Sequence, residues 1–177
     1  MPALNPAKPR WHVIWLFACA LTLLACSPAL NWRKASLGGL QASLPCKPDS
    51  AERTVQLAGK DFSMRMMGCE ADGGLFAISQ VRLTDGSDPA KVLEDWQRLT
   101  LTAMGSAQPL VKTGPPATVG GVPFSVYAVS GKGPDGHAVQ ARLSWIQNGS
   151  DWYHLALYAT RVRADMEEPF YSQLTWQ

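Results

Sequence analysis

Few side chains in this sequence have the types and spacing that catalysis or metal binding demands. It has three histidines: His12 near the start, then His137 and His154. The last two flank Asn148-Gly149, a strong two-residue hairpin signal. With those two residues as the turn, 147 faces 150, so His154 lies opposite Leu143 and His137 opposite Thr160. That places the histidines about 20 Å apart at strand rise, too far to share a metal. Asp151 and His154 would make an acid–base pair for a hydrolase only if both side chains reached one cleft. Ser144 and Ser150 are merely nearby. No nucleophile elbow, phosphate-cradling loop or HExxH motif is present. Gly131-Lys132-Gly133-Pro134-Asp135-Gly136 is glycine-rich, but no helix follows it, so it reads as a hairpin loop. Glu167 and Glu168 read as helix-start charges. Asp135, and Asp85-Gly86-Ser87-Asp88, gather too few oxygens to make a calcium site. On this reading the chain has no catalytic, cofactor-binding or metal residues.

The N-terminus carries a clearer message. Lys8 and Arg10 are the only charged residues before position 26. A mostly apolar run follows from Val13 to Ala25, about 13 residues where a spanning helix needs about 20. A basic flank, an apolar run and then a small residue is the layout of a secretory signal. Leu23-Leu24-Ala25-Cys26 resembles the lipobox of bacterial lipoproteins, although Leu24 is bulkier than usual at its position. The resemblance implies cleavage before Cys26 and diacylglycerol, with palmitate-type acyl chains, on its sulfur. Each buried methylene contributes about 0.8 kcal/mol, so two or three chains hold firmly where one does not. Ser27, rather than Asp, follows the cysteine. Among such lipoproteins this favours the outer membrane, periplasmic face, over the inner membrane.

About 152 residues remain after the leader, enough for one domain with a real core. The chain has 16 basic and 14 acidic residues. Without Lys8 and Arg10 the two signs balance, which gives no basic footprint for nucleic acid. Cys19 leaves with the leader and Cys26 takes the lipid. Cys46 and Cys69 remain, in an oxidising compartment, and are expected to form a disulfide between neighbouring strands. A redox or metal pair is the alternative, but there is no CxxC spacing.

Residues 26–36 read as a lipidated tether. Trp32 has two readings, as a headgroup contact or as a side chain packed on the domain. Period-two alternation predicts strands at 40–44, 54–58, 62–66 and 75–83. Asp88-Pro89 reads as a helix N-cap and first position, with Gly105 as the stop. Between them, Val92, Trp96, Leu99 and Ala103 make an apolar face over 89–104. Residues 105–118 read as a long loop. Strands follow at 124–130, 137–145 and 152–159, then a short helix from about Glu168. The last third is rich in aromatics (Trp145, Trp152, Tyr153, Tyr158, Tyr171, Trp176). These fit a sheet covered on both faces, with an exposed patch as the alternative.

This order predicts an α+β domain over 37–177, with an antiparallel sheet of about six or seven strands flanked by two helices. It resembles the PsbP-like α/β/α sandwich, through Leu44-Pro45 closing an early strand and Gly120-Gly121-Val122-Pro123 opening a later one. Relatives of that kind imply an accessory or assembly role. The expectation is a non-catalytic envelope lipoprotein that binds a protein partner. A small-molecule or lipid-binding module is the first alternative and an unfamiliar hydrolase the second.

Overall fold

A computed structural model describes residues 29–177; the leader over 1–25 and Cys26 lie outside the described residues. The alternating runs become strands, and there are more of them than expected. In chain order they are β1 (Arg33–Leu37), β2 (Leu40–Leu44), β3 (Asp49–Leu57), β4 (Lys60–Ala71) and β5 (Gly74–Arg82). Helix α1 (Pro89–Ala103) follows. Then come β6 (Val111–Lys112), β7 (Ala117–Val119), β8 (Val122–Phe124), β9 (Tyr127–Lys132), β10 (Ala138–Asn148) and β11 (Asp151–Ala159). Helix α2 (Ala164–Ser172) and β12 (Thr175–Trp176) close the chain.

Seven strands form one sheet in the order β3-β4-β5-β11-β10-β9-β6. Every pair in it is antiparallel. Two meanders, β3-β4-β5 and β9-β10-β11, meet where β5 pairs with β11. Helix α1 carries the chain from one to the other. Asp88 caps it by accepting from the Ala90 and Lys91 amides, with Pro89 at its first position. Its buried residues are Val92 and Trp96, followed by buried Met104 at the C-cap, while Leu99 is 37% exposed. The expected face of 92, 96, 99 and 103 is therefore rotated in the last turn. The cause is Met104, whose carbonyl accepts from the Lys132 amide and so draws the helix end onto β9.

The other face departs from a helix-covered sandwich. It is covered by a three-stranded sheet (β1-β2-β12), the β7-β8 hairpin and α2. The molecule is thus more β-rich than an α/β/α arrangement, with one sheet layer partly replacing a helix layer. Phe76 joins the parts of this side. It is fully buried and meets Trp32 edge-on at 5.7 Å and Phe170 of α2 edge-on at 5.5 Å. Such aromatic pairs contribute about 0.5–1.5 kcal/mol each beyond area burial.

Two boundaries move. Residues 32–36 are not tether: Arg33–Leu37 pairs with β2, and Trp32 packs on the domain. Polar side chains on the exposed side of β1 hide this strand from a pattern count. The final helix starts at Ala164 rather than near Glu168. Asp165 and Glu167 occupy its first turn, where carboxylates suit the helix dipole, and Pro169 lies inside it.

Cys46 and Cys69 form a disulfide, with Cα atoms 6.0 Å apart. It does not join neighbouring strands of one sheet. Cys46 follows β2 and Cys69 lies in β4, so the bond staples the small sheet to the large one. Replacing both cysteines by serine is expected to lower the unfolding free energy in urea by about 3 kcal/mol. An unchanged urea midpoint would show that the staple is dispensable.

Candidate functional site

The β10–β11 hairpin decides where the possible chemistry goes. Asn148 pairs with Asp151, so the turn is Gly149-Ser150, one residue later than expected. Gly149 takes φ +60° at the first central position, as a II′ hairpin requires. His154 therefore faces Trp145, not Leu143. His137 precedes β10 and sits in the β9–β10 loop rather than opposite Thr160.

His154 is locked into the core under α1. Its ring stacks on Trp145 at 4.4 Å and meets Trp96 edge-on at 5.7 Å. Nδ1 lies 3.0 Å from the Ser144 carbonyl, which fits an Nδ1–H tautomer donating to that oxygen. Burial pushes its pKa down to about 4, against a smaller upward pull from the Ser144 carbonyl. The ring is neutral at pH 7.

Asp151 lies on the opposite face. It pairs across the ladder with Arg82, and His154 pairs with Ser79, so the two side chains alternate in direction. Arg82 donates Nε and Nη2 to the two Asp151 carboxylate oxygens, each at 2.9 Å. That bond holds the Asp151 carboxyl below the usual carboxylate range. The acid–base pair imagined for a hydrolase does not meet. Ser144 is buried on the Asp151 side, with no partner for its hydroxyl among the described residues. Glu167 pairs with Arg142 at 3.0 Å, a structural contact between α2 and β10. Among the described residues, no group of three or more His, Cys, Asp or Glu side chains could hold a metal.

A concavity lies open at one end of the large sheet. A cleft of about 410 Å³ is lined by Glu70, Asp72, Leu75, Asp135, His137 and Tyr158, among others. Pairing explains the convergence. Glu70 faces Leu75, and Leu75 faces Tyr158, so all three project to the α1 side. The Asp72-Gly73 turn has positive φ at both residues and forms one lip. The 133–137 loop forms another, where Asp135 accepts from the His137 amide at 3.0 Å. Tyr158 is partly buried at the floor, and burial raises its pKa to about 12, so it stays protonated. The cleft's wall has three carboxylates and no lysine or arginine, although Arg163 pairs with Asp72 from outside. Groups of this kind can hold a ligand.

Sequence reading named His137, Asp135 and Tyr158 but not Glu70 or Asp72. Only the pairing of β5 with β11, strands far apart in sequence, brings them together. Of the aromatics of the last third, Trp145, Trp152, Tyr153 and Tyr171 are buried, while Tyr158 and Trp176 are partly exposed. Among the described residues, no helix is long and apolar enough to cross a membrane. No known protein family matches the chain, and no curated protein is similar enough to count as a relative.

Buried neutral His154 gives a pH prediction. The unfolded chain takes up a proton near pH 6.5, while the folded chain refuses it until about pH 4. Stability is therefore full above neutrality and falls as pH drops from 6.5 towards 4, by roughly 3 kcal/mol from this group. His154→Phe keeps the stack and removes the titration, so its urea stability should lose that slope. Coincident profiles for the two proteins would contradict the assignment.

Proposed function

We propose that this chain is an exported lipoprotein, held by acyl chains on Cys26 to the periplasmic face of the outer membrane, with a non-catalytic binding or assembly-accessory domain. The observation that carries the address is the Cys46–Cys69 disulfide. Such bonds belong to oxidising compartments, and with Cys19 in the leader this one leaves Cys26 as the cysteine free for lipid. The lipobox-like Leu23-Leu24-Ala25-Cys26 supplies the rest of the argument.

The binding role is supported by what the reactive-looking groups do. His154 is spent on a core stack and Asp151 on an ion pair with Arg82. A protein partner remains the first reading of what is bound. The small-molecule alternative is favoured by the cleft near Tyr158, not by an interior pocket. The space between α1 and the sheet is filled by Trp96, His154, Trp145 and Leu143.

The mass of the membrane-extracted protein tests the address. The expected species begins at Cys26, carries acyl mass and resists thiol alkylation at Cys46 and Cys69 until reduced. Cys26→Ala should also abolish acyl incorporation. An unacylated wild-type chain still bound to membranes would overturn the proposal.

A further inference from the structure

The geometry points to a defined surface that rests on the bilayer: the end of the large sheet where the chain enters, with Arg33, Lys34 and Lys47 against the lipid headgroups. This inference rests on lipidation at Cys26 and adds an orientation to it. Leu30 already packs on the core beside Trp32. The Asn31 amide donates to the Pro45 carbonyl at 2.8 Å, and Trp32 is seated on Phe76. Four peptide steps separate Cys26 from Leu30. Even fully extended they span at most about 14 Å. The acylated sulfur sits at the headgroup layer, so the domain surface around Leu30 is held within that distance of it.

The sheet defines which surface this is. Trp32 packs on Phe76, which pairs with Leu157 near the Gly74–Ala159 end of the β5–β11 ladder. The opposite end is the Arg82–Asp151 pair beside the Gly149-Ser150 turn. Eight residue steps along β5 separate the two ends, about 27 Å. Strand β1 runs in the same sense, from Trp32 on Phe76 to Gly38 against the Gln80 side chain. Arg33 and Lys34 therefore lie at the anchored end. So does Lys47, two residues past Pro45, and all three are exposed. Lys60 and Lys91 lie at the far end. The Lys60 ammonium donates to the Gly86 carbonyl at 2.8 Å, and Lys91 is in the first turn of α1 after Asp88. The acidic cleft, between the Asp72-Gly73 turn and the 133–137 loop, opens at the anchored end as well. The Gly149-Ser150 hairpin tip points into the periplasm.

Native lysines report the orientation. The acylated protein is reconstituted into vesicles of phosphatidylcholine and phosphatidylglycerol, which have no reactive amine. Its intact mass is recorded first. Lysine modification is then compared between a small amine reagent and the same chemistry on a bulky polyethylene glycol, site by site. Lys34, Lys47, Lys60 and Lys91 are all exposed on the domain itself, so the ratio of the two reagents isolates shielding by the bilayer. The expected result is a severalfold loss of bulky labelling at Lys34 and Lys47, with Lys60 and Lys91 unaffected. An acylated protein labelled equally at all four sites, or shielded at Lys60 and Lys91, overturns the orientation alone. A chain without acyl mass overturns the lipoprotein reading and the orientation with it.

Discussion

Strand β11 is apolar on both faces, and the rest of the molecule is arranged to keep it dry. From Trp152 to Leu157 every residue is buried. Antiparallel sheets commonly leave one face to solvent and then alternate cleanly. This one cannot, because Tyr153, Leu155 and Leu157 need one cover while Trp152, His154 and Ala156 need another. Helix α1 supplies the second through Val92 and Trp96. The first is assembled from pieces: β1-β2-β12, the β7-β8 hairpin and α2, which share one core cluster with Phe76 and Leu155. None of these pieces is large enough to stand alone. The Cys46–Cys69 bond ties the three-stranded sheet to β4, through the segment that follows β2.

The same constraint decides where His154 lies. A histidine in the middle of a strand covered on both faces must lie in the core, and His154 does so as a neutral ring with one carbonyl partner. The Trp145 and Trp152 indole N–H groups nearby are buried and have no hydrogen-bond partner among the described residues. Charged groups are displaced to the rims. Arg82 and Asp151 close one end of the ladder, and Glu70, Asp72, Asp135 and His137 surround the cleft at the other.

Much of this was legible in the sequence, for definite reasons. Helix α1 was readable because Asp88-Pro89 and Gly105 fix its ends locally. The disulfide followed from removing two of four cysteines. The hairpin was visible, but its register was not. Asn148-Gly149 and Gly149-Ser150 are both acceptable turns, and the choice moved His154 from Leu143 to Trp145. Strand β1 is hard to read because Arg33, Lys34 and Ser36 give it a polar look, with Leu37 its one buried residue. The second cover and the cleft depend on pairings between distant strands, β2 with β12 and β5 with β11. No local pattern encodes those pairings.

Amide hydrogen exchange tests the dependence on β11 most directly. The amides of Leu155, Ala156 and Leu157 should exchange only through global unfolding, more slowly than any in the edge strand β3. Exchange in β11 as fast as in β3 would contradict the account, because a strand that opens locally cannot be what the two covers exist to bury.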